Sequence, residues 1–482
     1  VKCWLFVLSV LTTCNLGVAF CATPERPNVL FITVDDLRPE LGCYGKSHVQ
    51  SPHIDKLASS GMRFDYAYCQ QAVCNASRSS FMTGMRPEAI GVIGNHVHFR
   101  DQISKVVTLP QHFKQHGYHS AAVGKVYHGV FPEGASNTKW DTMGDPESWS
   151  EPAIRFGPRY YYTEAGIESA KEAFQRMYKS RDANSGDWTE KLVFGLASES
   201  PEVADNTLYD GKVADAAISK LKVLRTLSKP FFLAVGFIKP HSPYIAPKRF
   251  FDLYPDVDLV VEQGLPEGSP AFAGHGSGEL RRYSDQPSQG GIPRSNQKRV
   301  RQAYYACVSY IDAQIGRLLQ TLETTGLGKN TIVVLMGDHG YHLGEHGLWG
   351  KTTNFELDTR VPLIIRAPGV TTAGTSTTAL VELVDLFPTL AELAGLSLPD
   401  QLDSKGIVPT LRDPSYQTKA FALSQYPRGA TRMGYSMRNA THRLTQWVSR
   451  DTGNLLDCEL YDYSKSDVET ENLAELNPSL VE

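Results

Sequence analysis

The 482-residue sequence predicts an α/β protein, with a doubly wound, mostly parallel sheet followed by a small C-terminal α+β subdomain carrying an antiparallel sheet. Four near-continuous apolar runs of strand length, Asn28 to Val34, Ser120 to Val123, Phe231 to Phe237 and Thr331 to Met336, suit strands buried on both faces of a parallel sheet. Helical patterns separate them, as in Val300 to Leu322, which is the alternation of a doubly wound sheet. From Lys419 the pattern changes to short β-like pieces, Ala420 to Leu423 and Leu444 to Val448 among them.

The N-terminus comes first. Lys2, the apolar run Trp4 to Phe20 and the small residues around Cys21 and Ala22 predict a secretory signal peptide over residues 1–22, and hence a secreted or periplasmic protein. A lipoprotein signal would also put a cysteine there, but Phe20 fits the small residue before that cysteine poorly. No later run approaches the roughly 18 apolar residues of a membrane span. A net charge of −4 offers no basic surface for nucleic acid, so any anionic ligand must be held by local positive charge. After the leader, Cys43, Cys69, Cys74, Cys307 and Cys458 remain, too few for a disulfide scaffold.

Each apolar run ends in chemistry. The first leads into Asp35-Asp36, the second into Gly124-Lys125, the third into Lys239-Pro240-His241, and the fourth into Gly337-Asp338-His339. In open α/β sheets, ligands bind beyond the carboxyl ends of the strands, so these residues are expected to meet there. Buried carboxylates at one edge require a cation, and oxygen-rich ligation favours a hard ion such as Ca²⁺ or Mg²⁺, with Ca²⁺ preferred. Taken alone, Asp35-Asp36 also fits a strand-end turn or helix N-cap. Lys125 and Lys351 offer point charges for a sulfate or phosphate, though solvated lysines read the same way. His128 is an acid/base candidate, whereas His96, His98, His342 and His346 read as structural groups.

The most informative segment is Cys74-Asn75-Ala76-Ser77-Arg78. The spacing puts the Cys74 thiol and the Arg78 guanidinium on one face of a short helix that Gly84 closes. A helix N-terminus and a cation beside it favour an anion at residue 74. A buried or disulfide-bonded cysteine near an N-cap remains an alternative for the pentapeptide by itself.

The stretch resembles the sulfatase signature Cys-x-Pro/Ala-x-Arg. Together with Arg26-Pro27-Asn28 to Asp36, Thr83-Gly84-Met85-Arg86-Pro87, Gly124-Lys125, Lys239-Pro240-His241, Gly337-Asp338-His339-Gly340 and Lys351, it is similar to type I, formylglycine-dependent sulfatases of the alkaline phosphatase superfamily. Gln70-Gln71-Ala72-Val73-Cys74, Leu343-Gly344-Glu345-His346-Gly347-Leu348-Trp349, Ser424-Gln425-Tyr426-Pro427-Arg428 and Met433-Gly434-Tyr435-Ser436 resemble its iduronate-2-sulfatase branch.

The resemblance implies a large mixed, mostly parallel sheet sandwiched by helices. It implies that Cys74 is oxidised to formylglycine, and that this residue with Asp35, Asp36, Asp338 and His339 holds Ca²⁺. Arg78 would steady the hydrated aldehyde, Lys125 and Lys351 would bind sulfate oxygens, His241 would protonate the leaving sugar oxygen, and His128 would deprotonate the remaining hydroxyl so that sulfate departs. Ala76 stands where oxygen-dependent maturation generally expects proline, which points to a radical-type or permissive formylglycine-generating maturase.

The expected organisation is a leader over 1–22, a catalytic domain over 23–412 and a C-terminal subdomain over 413–482, from which Arg428 reaches a substrate acid group. The Gly/Ser/Pro-rich stretch Gln263 to Gln297 reads as a long loop, either rimming the active site or merely a surface insertion. A helical pattern spans Leu380 to Leu396, and a polar helix ends the chain. The expected function is a sulfatase acting on a sulfated, uronate-containing polysaccharide or glycosaminoglycan. The alternatives are a formylglycine-dependent phosphonate or phosphate ester hydrolase, and a non-catalytic glycan-binding protein whose Cys74 stays a thiol.

Overall fold

The computed structural model describes residues 26–129, 144–157, 161–177, 193–259 and 264–482, so the expected leader lies outside the described residues. Seven strands form the main sheet: β1 (Asn28–Val34), β2 (Met62–Tyr68), β3 (His119–Gly124), β4 (Phe231–Phe237), β5 (Thr331–Gly337), β6 (Arg360–Arg366) and β7 (Thr375–Glu382). Their order is β7-β2-β6-β5-β1-β4-β3. β1 runs parallel to β4 and β5, β3 to β4, and β7 to β2, while β6 runs antiparallel to both its neighbours, β5 and β2. The sheet is therefore mixed and mostly parallel, as expected.

The apolar runs are explained by burial on both faces. Along β1, Leu30, Ile32 and Val34 point into one core with Val300, Ala303 and Tyr304 of the long helix Arg294–Thr324. Val29 and Phe31 alternate into a second core with Ala76, Phe81 and Met82 of the helix Cys74–Thr83. A strand that must satisfy two cores cannot carry the apolar–polar alternation of a half-exposed strand. Register aligns the carboxyl ends, since Val34 lies level with both Phe237 and Gly337. Residues that follow these three strands accordingly emerge at one edge.

The C-terminal sheet is a meander of β8 (Ala422–Arg428), β9 (Arg432–Arg438), β10 (His442–Ser449) and β11 (Leu455–Asp462), paired antiparallel in sequence order. It is bolted to the main sheet through buried charge. The Glu356 carboxylate accepts from Arg443 at 2.7 Å, from Arg438 at 3.3 Å and from the Tyr68 hydroxyl of β2 at 2.9 Å.

Two expectations require correction. The helical pattern from Leu380 begins too early, because Leu380, Val381 and Glu382 pair with Tyr66, Ala67 and Tyr68 of β2, and the α-helix proper is Leu386–Leu393. Strand pairing here overrides local periodicity. The polar C-terminal helix is a single turn, Pro478–Val481.

A long-range cap offers a test of the helix packing. The Asp312 carboxylate, on the long helix, accepts from the backbone N–H of His53 at 3.0 Å and of Ile54 at 2.7 Å, at the start of the helix Pro52–Ser60. Burial pushes its carboxyl up to about 7 against the pull of those two bonds. A raised carboxyl in the folded state contributes stability at low pH that is lost as pH rises from the ordinary carboxylate range through about 7. Asp312→Asn should therefore gain on the wild type between pH 5 and pH 8 in urea titrations. Asp312→Ala, which orphans two buried donors, should lose about 1–3 kcal/mol at pH 5.

Candidate active site

β1 delivers Asp35 and Asp36 from the centre of the sheet into an environment with no solvent exposure. Asp36 adopts a left-handed backbone, φ 60°, uncommon outside glycine. The strain is held by its N–H donating to Asp338 Oδ1 at 3.1 Å and by its carbonyl accepting from the Tyr304 hydroxyl at 2.8 Å. β5 brings Asp338 and His339 alongside. Asp338 Oδ2 accepts from Arg78 Nε at 2.9 Å, and Oδ1 from the His339 N–H at 3.0 Å.

Cys74 is the first residue of a ten-residue helix in which every side chain is buried, and Gly84 closes that helix with φ 69°. Its thiol lies 3.3 Å from Asp35 Oδ1 and 3.3 Å from His339 Nε2. Arg78, one turn on, bridges Asp338, Asp35 at 3.5 Å, and the carbonyls of Lys125 and Val126 at 2.8 and 2.9 Å. The i, i+4 face read from the pentapeptide is thus realised, with the guanidinium behind the thiol and not beside open solvent.

Lys125 follows β3 and pairs with Asp35. Its placement depends on two glycines: a Cβ on Gly236 would lie 1.9 Å from the Lys125 carbonyl oxygen, and one on Gly124 would lie 2.2 Å from the Gly236 oxygen. Lys351 pairs with Asp36 at 2.8 Å. His128 lies close enough to Cys74 for the thiol to act on its titration, and its buried Nδ1 has no partner among the described residues. Burial lowers its pKa, and the Lys125 ammonium lowers it further, against the opposing pull of the thiol. His241 is set by a buried frame: Asp210 accepts from the N–H groups of Ile238 and Lys239 at 2.7 and 3.1 Å, and Lys239 Nζ donates to the carbonyls of His241 and Pro243 at 2.7 and 2.6 Å.

The donor set fits a divalent cation. One ligand atom each from Asp35, Asp36, Cys74 and His339 fall within 4.8 Å of one another, all buried, and Asp338 Oδ1 stands 3.7 Å from His339 Nε2. His339 Nδ1 donates to the Gly340 carbonyl at 3.0 Å, which leaves Nε2 as the free lone pair facing the cluster. Without added positive charge the carboxyls are frustrated. Burial, with Asp35 close by, pushes Asp338 up to about 7 even against the Arg78 guanidinium, and burial likewise raises Asp36. His339, which burial would lower, is instead driven up to about 10 by Asp338 and Cys74.

The structure also sorts the remaining candidates. His342 is bound to Asp358 at 2.6 Å and His346 to Glu469 at 3.2 Å, His98 accepts from the Arg100 N–H at 3.2 Å, and His96 is exposed, so none enters the cluster. Arg428 is held by the backbone. Its guanidinium donates to the carbonyls of Phe272, Ala273 and Thr352 at 2.5, 2.6 and 2.7 Å, bracing the segment next to Lys351 rather than presenting a fork to a ligand. Glu279 was missed. It comes from the long loop, 3.3 Å from Lys351 and 3.5 Å from His241, and no local motif marks it.

A family model described as Sulfatase matches residues 27–396, and one described as N-sulphoglucosamine sulphohydrolase, C-terminal, matches residues 344–479. The chain is 35% identical to human iduronate 2-sulfatase, over 89% of this chain and 86% of that protein. A solved structure in complex with its substrate D-glucosamine-2-N,6-O-disulfate has a TM-score of 0.71 at 21% identity, covering 95% of both chains. A phosphonate monoester hydrolase from Silicibacter pomeroyi has a TM-score of 0.73 at 20% identity, covering 95% of this chain and 93% of that one. At these identities the two structures speak for the fold.

Because the buried carboxylates need a counter-charge, chelation should act on stability as well as on turnover. Exhaustive dialysis against EDTA should lower the thermal midpoint by about 5 °C or more, and adding back a divalent cation should restore it. An unchanged midpoint would mean the lysines and Arg78 suffice.

Proposed function

We propose that this chain, which belongs to the sulfatase family and is a sulfuric ester hydrolase, acts on a sulfated sugar, with a sulfate ester on a uronate-containing polysaccharide or glycosaminoglycan fragment as its substrate. The reading extends to Cys74 converted to formylglycine by a maturase that accepts Ala76, to Ca²⁺ as the bound ion, and to action in the periplasm or outside the cell after loss of the leader. The observation that carries it is the placement of the Cys74 thiol 3.3 Å from both Asp35 and His339, at a buried helix N-terminus, with Lys125 paired to Asp35 and Lys351 to Asp36.

Formylglycine at residue 74 would supply a hydrated nucleophile, and a cation held by Asp35, Asp36, Asp338 and His339 would supply Lewis-acid polarisation of the sulfate ester. The chain's own residues do the rest. Lys125 and Lys351 flank residue 74 and offset the charge that grows on the sulfuryl oxygens, the kind of preorganised electrostatics that usually dominates catalysis. Arg78, buried one helical turn from residue 74, bridges Asp35 and Asp338 and holds both carboxyl groups in place. His241 keeps Nε2 for the substrate, since its Nδ1 donates to the Ser242 carbonyl at 2.7 Å, and gives a proton to the departing sugar oxygen. His128, kept neutral by burial, takes the proton from residue 74 through the ring nitrogen that faces it.

In protein from a host with the matching maturase, the peptide carrying residue 74 should show the mass of formylglycine, and sulfate should be released from sulfated oligosaccharides. Cys74→Ala should lower kcat by at least about 10³-fold. Lys351→Ala should lower it by about 10²–10³-fold. Faster turnover of phosphonate monoesters than of sulfate esters would transfer the chain to the phosphonate hydrolase reading. An unmodified thiol in active-host protein would favour the glycan-binding one.

A further inference from the structure

The loop between the short helix Lys248–Phe251 and the long helix Arg294–Thr324 is firmly built over its described part. Leu280 and Tyr283 are buried in the main core. Ser277 takes a left-handed φ of 54° and its hydroxyl accepts the Trp349 N–H at 3.0 Å, two residues before Lys351. Arg281 ties the loop to itself through the carbonyls of Gly276, Pro287 and Gly290 at 2.9, 3.0 and 2.6 Å. A backbone pinned in this way presents the side chain of Glu279 at a defined point.

That point lies beside Asp36, His241 and Lys351 of the active site. Glu279 Oε1 accepts from the Ser242 hydroxyl at 3.0 Å and stands 3.5 Å from His241 Nε2, while Oε2 stands 3.3 Å from Lys351 Nζ. Asp36, His241 and Glu279 each place a ligand-type atom within 4.8 Å of the others. His241 is tethered at Nδ1 by the Ser242 carbonyl, so Glu279 is the group that settles the direction of Nε2 from outside the metal-binding cluster. Ser242 serves both, its carbonyl orienting the imidazole and its hydroxyl orienting the carboxylate.

From this geometry we infer that Glu279 is a positioning residue for leaving-group protonation, fixing the His241 imidazole from its Nε2 side, with Lys351 as its second anchor, so that Nε2 is in place when the sugar oxygen arrives. The inference rests on sulfate ester hydrolysis at residue 74. As the bond between sulfur and the sugar oxygen breaks, its electron pair passes to that oxygen and the proton moves from His241 Nε2 to the same atom, giving a neutral alcohol. A sugar alkoxide is a poor leaving group and needs that proton in place. A nitrophenolate does not, so the two ester classes report on Glu279 differently.

The test uses the matured full chain with Glu279→Gln, Glu279→Asp, His241→Ala and the double variant His241→Ala/Glu279→Gln. Steady-state kinetics are read on a sulfated monosaccharide and on 4-nitrophenyl sulfate. Glu279→Gln should lower kcat on the sugar about 10–100-fold with KM within about threefold, and lower kcat on the aryl ester less than about threefold. Glu279→Asp should recover part of the loss, and the double variant should lose no more on the sugar than His241→Ala alone. Equal losses on both esters, additive losses in the double variant, or a raised KM with unchanged kcat would each overturn the inference, the last by making Glu279 a substrate contact. If the aryl ester is not turned over, the double-variant comparison on the sugar decides. A wild type that carries formylglycine yet turns over neither ester would instead sink the sulfated-sugar reading itself.

Discussion

The constraint on which this structure depends is charge compensation in a dry place. Asp35, Asp36 and Asp338 lie fully buried at the carboxyl edge of the central strands, and isolated carboxylates there would be prohibitively costly. The protein answers with Arg78 between Asp35 and Asp338, Lys125 on Asp35 and Lys351 on Asp36. Even so, Asp338 and Asp36 remain pushed toward protonation, so the cluster is built with room for one more positive charge. The same imbalance suits the cluster to a cation.

Much of the surrounding fold holds these charges still. The two glycines where β3 and β4 end allow Lys125 to approach, the Asp210–Lys239 frame holds the His241 turn, and Arg428 braces the segment that carries Lys351. The C-terminal sheet takes part in this. Its Arg438 and Arg443 bind Glu356, and the N–H of Glu356 donates to Glu469 at 2.7 Å, so the meander and the Lys351 segment are parts of one buried network. A sheet that looks like an appendage in topology is thus a support for the site.

Legibility from sequence followed the range of the interaction. Asp35, Asp36, Asp338 and His339 directly follow strands whose two-sided burial is written as uninterrupted apolar runs, and Cys74 and Arg78 are one helical turn apart. These could be found from local pattern. Glu279 could not, because it reaches His241 and Lys351 from a loop with no periodicity, and its contacts exist only once that loop is docked through Leu280, Tyr283 and Ser277. Arg428 shows the complementary limit, since an arginine near a site looks the same in sequence whether its donors meet a ligand or three carbonyls.

By itself the sequence determined the α/β class, the strand ends that carry the chemistry and the family to which the chain belongs, since each depends on residue type and on spacings shorter than one element. Tertiary structure alone decided which strand of the mixed sheet runs antiparallel, the end of β7 at Glu382 in place of a helix start, and the approach of Glu279 to His241 and Lys351. Those features arise from contacts between segments far apart in the chain, where local propensity is weak and the packing of two cores against one sheet selects the outcome.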